Sequence, residues 1–472
     1  MRPQRLRSVY QLTVATVVVA GMLAACSKGS DGDNKKVGKI TGAAASSVVP
    51  WAASGKAPDS TVTVCYFSGP EFDSIQHFAP KFTALTGGKI KIKMVSIPIN
   101  QALPATINQI KSSSTCDLVD SGAQQAADID PYLVPLKSMM DDPGLFNSKV
   151  YDLNDFPQGV RDVVTMKGKG LMSLTLGADV QMLYYRKDLL AKWGITVPAP
   201  PNAWTWEQFE STLQTIQKKV DAEHLSMSPL AVSGTQDSGG SMFSLTAMWG
   251  YGADPLKDKA THFTDAKSVE GLTHWSGLLT KLKVASPGSP TYAYNELLAA
   301  LQQSKTVMAV EWNAAASTLA DPKQSPKSAG KLGYALLPYD KSVPATTPRV
   351  FPTTHTLGIS AQSKHQREAF EFATWYTSPA VAKEMVADGR GSSGRSSVLT
   401  DPAIVAKQPS LVTVAASTKL YHTLPDLPSF GDLLLNVMAP PVNAMFTGQK
   451  SPQQAAEAMQ TGTKNLLKKA GK

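Results

Sequence analysis

Residues 170–190, G-L-M-S-L-T-L-G-A-D-V-Q-M-L-Y-Y-R-K-D-L-L, give the clearest indication of the fold. From Leu171 to Tyr185 it is rich in Leu, Met and Tyr, with one short interruption at Gly177-Ala178-Asp179. A strand that pauses and resumes is typical of a chain that leaves one domain and enters another. One long strand in a single sheet would show the same pattern, so the sequence does not choose between these two interpretations. Downstream, Thr205 and Gln208 have the spacing of a capping box, which predicts a helix beginning there.

Before this stretch, strand-like and helical segments alternate. Such alternation is typical of βαβ units and a parallel sheet, whose ligands bind beyond the carboxyl ends of the strands. Loops that combine small residues with a carboxylate follow two of the predicted strands, and these loops are therefore candidate binding loops. The predicted strands are Thr61–Phe67, Lys89–Val95 and Cys116–Asp120, and the loops are Ser68–Glu71 and Asp120–Gly122.

The length and charge of the chain limit its class. A chain of 472 residues is too long for one hydrophobic core, so two domains are expected. The formal net charge of +9 is spread along the sequence without a dense basic run, which argues against a nucleic-acid partner. Nucleophile-elbow, Walker, H-E-x-x-H and C-x-x-C motifs are missing, and the histidines lack metal-ligand spacing. We therefore predict no catalysis, no cofactor and no metal.

The N-terminus has the features of a lipoprotein signal. Arginines at positions 2, 5 and 7 precede an apolar segment, Val14–Leu23, that is too short for a typical membrane span. The sequence Leu23-Ala24-Ala25-Cys26 then matches the bacterial lipobox. We predict a signal peptide over residues 1–25, a lipid anchor at Cys26 and a flexible tether to residue 58; a plain secretory signal is the alternative.

Two further cysteines, Cys65 and Cys116, follow Cys26. Outside the cytoplasm they have the opportunity to pair. Cys65 lies late in its predicted strand and Cys116 at the start of another, an offset that separates the Cα atoms if the strands are parallel neighbours. The sequence therefore leaves open a disulfide or two buried thiols.

The stretch that begins at residue 170 resembles the crossover of the extracytoplasmic solute-binding proteins of sugar ABC importers. The shared features are G-A-D-x-Q-x-L-Y-Y-x-K-D-L, then G-I, prolines and W-T-W-E-Q-F. The later block N-E-L-L-A-A-L-Q-Q-S-K-T-V-M-A-V-E-W is also similar to the family, although Glu311 stands where the family has Gly or Gly-Pro before the tryptophan. The resemblance implies an α/β, two-lobe, type II periplasmic-binding-protein-like fold. Each lobe is expected to hold a mostly parallel sheet: residues 61–176 plus 332–377, and 178–330 plus 378–472.

The resemblance also implies a ligand site between the lobes. It places a stacking tryptophan near Trp312, an acidic acceptor near Asp120 and an arginine near Arg395. Carboxylates accept from sugar hydroxyls, and aromatic rings pack on sugar C–H faces. Structural roles stay open, namely a core position for Trp249, helix caps for Asp120 and Glu71, and an ion pair for Arg395. The candidate ligand-binding residues are Glu71, Asp120, Gln181, Tyr184, Trp249, Glu311, Trp312 and Arg395.

These inferences predict a monomeric, lipid-anchored receptor on the outer face of the bacterial cytoplasmic membrane. It would bind a mono- or oligosaccharide or a polyol and deliver it to the permease of an ABC importer. Two alternatives remain. One is an extracytoplasmic glycoside hydrolase with paired carboxylates such as Asp120 and Glu311. The other is a surface lipoprotein of the same fold that acts in adhesion without a small ligand.

Overall fold

The computed structural model describes residues 46–98, 102–257, 261–425 and 427–469. The predicted signal peptide and Cys26 lie outside these ranges. The strands are β1 Ser60–Phe67, β2 Ile90–Ile97, β3 Leu118–Val119, β4 Thr165–Met166, β5 Gly170–Leu171, β6 Ser173–Asp179, β7 Gln181–Arg186, β8 Ser228–Ala231, β9 Thr306–Trp312, β10 Leu332–Ala335 and β11 Thr353–Ile359.

The helices cover about half of the described residues outside the strands. Those of eight residues or more are α1 Pro70–Leu85, α2 Ala102–Ser112, α3 Trp206–Ala222, α4 Ser238–Gly250, α5 Ala266–Thr280, α6 Tyr294–Gln302, α7 Gln366–Tyr376, α8 Pro379–Ala387, α9 Ala439–Phe446 and α10 Pro452–Lys469. Shorter helices are Pro50–Ala53, Ala126–Ile129, Lys137–Met140, Ser148–Tyr151, Gln158–Val163, Lys187–Lys192, Ala315–Ala320, Ser396–Leu399, Pro402–Val405, Leu411–Ser417 and Phe430–Asp432. The predicted capping box is confirmed at the start of α3, where Thr205 and Gln208 bond reciprocally.

The first sheet has five strands in the order β2-β1-β3-β11-β6. Strand β1 runs parallel to β2 and β3, as the alternating pattern predicts. Strand β11 is antiparallel to both β3 and β6. The carboxyl ends of β1, β3 and β6 and the start of β11 therefore share one edge of the sheet. This edge carries the loops that the sequence indicated.

The chain crosses from one sheet to the other at Val180. Strand β6 ends in the five-stranded sheet at Asp179, and β7 begins in a four-stranded sheet at Gln181, with strand order β10-β7-β9-β8. The chain thus changes sheet within residues 170–190, three residues after Gly177. Strand β7 is antiparallel to β9 and β10, so both sheets are mixed. In each sheet one strand, β11 in the first and β7 in the second, runs against all the others, so the expectation of mostly parallel sheets is confirmed.

Three hydrophobic clusters accompany the sheets among the described residues, and the largest extends over strands of both sheets. Strand β10, assigned to the first lobe from sequence, pairs with β7 in the four-stranded sheet. Helix α8, assigned to the second lobe, contributes Val381 to the same core as Val62 of β1. An ion pair between Lys81 and Glu384 also joins α8 to α1. Helices α9 and α10 pack instead in the core of the four-stranded sheet.

The segment before β1 is folded from residue 46 onward. Val48, Val49 and Ala52 are fully buried in the core of the five-stranded sheet, and the Arg367 guanidinium stacks 4.6 Å from the centre of the Trp51 ring. The predicted tether over residues 26–58 is therefore wrong for its last part. These three small apolar residues and the Trp51 ring dock the segment, although their spacing shows no lasting helical or strand period.

Cys65 and Cys116 form a disulfide, with Cα atoms 5.7 Å apart. Cys65 is opposite Val119 in the register of β1 and β3, so the offset expected from the sequence is present. The chain bends at Asp117, immediately before β3, and this bend brings Cys116 back to β1.

Candidate functional site

A cavity of about 410 Å³ is lined by residues from both sheets. The five-stranded side contributes Glu71 from the first turn of α1 and Asp179 from the end of β6. The other side contributes Asn313, directly after β9, and two tyrosines, Tyr294 of α6 and Tyr334 of β10. The lining thus combines carboxylates, an amide and aromatic hydroxyls.

A compact polar cluster lies on the wall of this cavity. His355 Nε2 is 3.2 Å from Asp179 Oδ2 and 3.7 Å from Glu71 Oε1. The three side chains come together because β1, β6 and β11 all reach the same sheet edge. Among the described residues, this cluster has the composition and spacing to hold a metal ion.

The charges in the cluster depend on one another. Burial alone would lower the pKa of His355, but the negative charges of Glu71 and Asp179 and a hydrogen bond to Asp179 outweigh burial and raise that pKa to about 10. Burial raises the pKa of Glu71, and the charge of His355 opposes this shift. At neutral pH the imidazole is therefore protonated and faces carboxylates.

Asp120 lies behind this cluster and outside the lining of the cavity. Its carboxylate accepts hydrogen bonds from the backbone N–H and the hydroxyl of Thr356, at 2.8 and 3.0 Å, and so holds the end of β3 against β11. Burial raises the pKa of Asp120, while His355 and Thr356 lower it. Asp120 therefore supports the site from within the protein.

Asn313 joins the end of β9 to the crossover. Its side chain accepts a hydrogen bond of 2.6 Å from Val180 N and donates one of 3.3 Å to Asp179 Oδ1. Its backbone N–H donates to the Val180 carbonyl at 2.9 Å. The residue thus links the two sheets at the cavity wall.

Three predicted residues of the second sheet are buried. Glu311 is fully buried; Oε1 accepts from the Trp312 N–H at 2.7 Å, and burial raises its pKa well above the ordinary value. Tyr184 donates to the Trp312 carbonyl at 2.7 Å, and Gln181 accepts from the Thr246 hydroxyl at 2.5 Å. These side chains lie within the protein rather than on the cavity lining.

The remaining predicted residues also lie away from the lining. Trp249 is 2% exposed and stacks on His422, with ring centres 4.2 Å apart. Trp312 packs against Phe243 of α4, with ring centres 5.9 Å apart. Arg395 is fully buried and pairs with Asp155 at 3.2 Å, as the open ion-pair alternative anticipated. Of the eight predicted ligand residues, Glu71 alone lines this cavity.

Sequence reasoning missed Asp179, His355, Asn313 and the two tyrosines. Asp179 belongs to residues 170–190, so its position where the chain leaves the first sheet was the available signal. Asn313 follows Trp312 directly. His355 gave no local signal, because only the pairing of β11 with β6 brings it to Asp179.

A second cavity of about 230 Å³ lies beside Tyr421. It is lined by Gln124, Asp162, His422 and apolar residues of the segment 424–430. The Tyr421 hydroxyl bonds to the carbonyls of Asp179 and Thr353, at 2.7 and 3.1 Å. Tyr421 thus borders this cavity and also supports the strand ends that carry the polar cluster.

The sequence model of the bacterial extracellular solute-binding protein family matches residues 68–383. The chain belongs to this family. A mannitol-binding protein of Pseudomonas aeruginosa is 26% identical over 340 residues, which cover 68% of this chain and 74% of that protein. A probable ABC transporter-binding protein of Deinococcus radiodurans is 25% identical over 439 residues, 89% of this chain and 92% of the relative.

The fold of this solute-binding protein is shared with solved structures. A solute-binding protein from Agrobacterium vitis with bound D-mannitol superposes with a TM-score of 0.69 at 24% identity, covering 87% of this chain and 99% of that one. The type II, two-lobe architecture expected from the sequence is therefore confirmed. Family membership places the protein among the bacterial extracellular solute-binding proteins. Within the part of the chain that the structure describes, every helix is too short or too polar to cross a membrane.

Proposed function

We propose that this solute-binding protein binds a polyol or a small sugar in the 410 Å³ cavity and delivers it to an ABC importer. The observation that carries the proposal is the lining of the cavity by polar side chains from both sheets. Carboxylates accept hydrogen bonds from adjacent hydroxyls, while the Asn313 amide and the tyrosine hydroxyls donate. A polyhydroxylated ligand satisfies both kinds of group.

The aromatic lining favours a small ligand. Tyr294 and Tyr334 offer hydroxyls and ring edges, whereas the predicted stacking residues Trp249 and Trp312 lie outside the lining. A pyranose chain is best held by flat indole rings, so their position supports an acyclic polyol or a single sugar. The mannitol-binding relative supports the same class.

Calorimetric titration of the protein with mannitol, ribitol, glucose and maltose tests this proposal. We expect the polyols to bind more tightly than maltose. Glu71→Gln removes a charged acceptor and should weaken binding by about 10- to 100-fold. Glu207→Gln, on the exposed surface, is the matched control and should bind as the wild type does. A panel without any binding polyol or sugar would contradict the proposal.

We further propose that the protein is anchored to the outer face of the cytoplasmic membrane through a lipid on Cys26. The lipobox at residues 23–26 supports this proposal, and a lipid anchor keeps a receptor close to its permease. Cys26→Ala should release the protein from the membrane fraction into the surrounding medium, as immunoblots of the two fractions would show. Retention of the variant in the membrane fraction would contradict lipid anchoring.

A further inference from the structure

The polar cluster on the cavity wall has the donor set of a metal site. It offers carboxylate oxygens from Glu71 and Asp179 and one imidazole nitrogen from His355, which releases its proton when a cation takes the proton's place. A mixed set of nitrogen and oxygen ligands suits zinc and similar divalent transition-metal ions, here called the zinc class. Magnesium and calcium prefer oxygen ligands alone. Since Glu71 and Asp179 also line the cavity, a fourth position is open to a ligand.

The spacing of the donor atoms fits tetrahedral coordination. Bonds of about 2.0–2.2 Å to zinc place neighbouring donor atoms about 3.3–3.6 Å apart. His355 Nε2 lies 3.2 Å from the Asp179 oxygen and 3.7 Å from the Glu71 oxygen, and the donor atoms all lie within 4.8 Å of one another. Small side-chain rotations suffice to bring them around one cation.

The surroundings of the cluster favour an added positive charge. Asp120, behind the cluster, adds a third carboxylate to a region that holds one imidazole. Burying several like charges near one another is unfavourable unless a cation compensates them. The side chains of Glu71 and Asp179 are only 14% and 12% exposed, so water screens them weakly.

A buried hydroxyl beside the cluster is a second observation that favours a bound group at this position. Ser392 lines the cavity, and its Oγ is shielded from solvent without a hydrogen-bond partner among the described residues. A Cβ on Gly177 would lie 2.2 Å from this Oγ and 3.8 Å from the His355 ring, so the hydroxyl is next to the cluster. A water or ligand hydroxyl on a bound cation would give Ser392 its missing partner.

We propose that Glu71, Asp179 and His355 bind one divalent cation of the zinc class, with its open position facing the cavity. The cation would bind ligand hydroxyls directly and connect the first sheet to the ligand. Metal binding itself does not depend on the proposed polyol function. The metal site and the polyol-binding function can therefore be tested by separate measurements.

Calorimetric titration of the metal-free, full-length protein with zinc tests the site. We expect one zinc per chain. Loss of a group that only hydrogen-bonds to a metal ligand already costs about 10- to 100-fold in metal affinity. Asp179→Asn and His355→Gln remove direct ligands, so each should cost about 100-fold or more. His365→Gln, which changes a histidine outside the cluster, is the matched control and should leave zinc affinity unchanged. Circular dichroism of each variant shows whether the fold is kept.

Two results would overturn the metal site: no zinc binding by wild-type protein, or equal zinc affinity in wild type, Asp179→Asn and His355→Gln. If Asp179→Asn or His355→Gln fails to fold, the zinc affinities of the other variant and of Glu71→Gln test the site instead. Mannitol titrations in EDTA and with zinc give the second readout. Mannitol binding in EDTA without any zinc binding would reject the metal and keep the receptor. Zinc binding without any polyol or sugar binding would support the metal site and reject the proposed receptor function.

Discussion

Glu371 is a buried carboxylic acid under the docked N-terminal segment. Its side chain belongs to α7, is fully buried, and neighbours Trp51 and Ala52. Burial raises its pKa from 4.5 to about 8, against the opposing effects of the Ala52 and Trp51 N–H groups and Arg367. The folded protein therefore prefers the protonated acid, whereas the unfolded chain releases its proton near the ordinary value.

This difference predicts a loss of stability as the pH rises. A group whose pKa is raised on folding stabilises the fold at low pH, and that contribution is lost as the pH climbs from about 4.5 to 8, by at most about 1.4 kcal/mol per unit. Glu371→Gln cannot ionise, so its stability relative to wild type should increase over this range. Urea denaturation at several pH values measures the difference. Exposed Glu457→Gln is the control, and equal pH profiles for wild type and Glu371→Gln would contradict the prediction.

Trp312 and Asn313 show how the register of a strand decides which of two neighbouring residues lines the cavity. Side chains alternate between the two faces of a strand, so the direction of each depends on register. Gln181 is opposite Trp312, and both face α4 through Thr246 and Phe243. Asn313, one residue further, turns to the crossover instead. The sequence pointed to the strand end that borders the cavity, but the register with β7 is a tertiary property that the sequence alone does not show.

At the scale of elements, local signals were reliable and long-range pairing was not. The crossover, the βαβ alternation and the capping box of α3 follow from patterns within about 20 residues, and all three are present. The place of β10 in the second sheet and of α8 on the first core depends on partners far along the chain. The same is true of residues 46–57, which are held by burial against α7 and its neighbours.

The disulfide is a long-range contact whose contribution to the free energy of unfolding can be predicted. It joins β1 to the segment before β3 across a sequence separation of 51 residues. Closing a loop of this length restricts the unfolded chain and stabilises the fold by about 4 kcal/mol in the chain-entropy model, with measured values usually about 2–4 kcal/mol. The double variant Cys65→Ala and Cys116→Ala should lose that amount in urea denaturation.

Reductant provides the matched control for the disulfide. It should lower the stability of the wild-type protein towards that of the double variant, and should leave the variant unchanged. Equal stability of oxidised wild type and double variant would show that the link does not restrict the unfolded chain.

At the scale of the whole molecule, the cavity lies between two sheets that the chain joins at Val180 and again between β10 and β11. A ligand can shift the balance between open and closed forms only by its difference in affinity for the two. Glu71 and Asp179 come from one sheet and Asn313 and Tyr334 from the other, so a ligand that contacts both groups binds the closed form better.

Closure is therefore predicted to follow polyol binding. Dyes on the exposed positions Lys91→Cys in β2 and Lys218→Cys in α3 report the distance between the two halves. Saturating mannitol should raise energy transfer between the two dyes. The mannitol concentration at half of the full change should equal the dissociation constant from calorimetry. Glu71→Gln in the labelled protein should move that midpoint to higher concentration. If mannitol binds by calorimetry and energy transfer stays constant, the ligand occupies one half alone, because a bridging ligand cannot leave the separation of the halves unchanged.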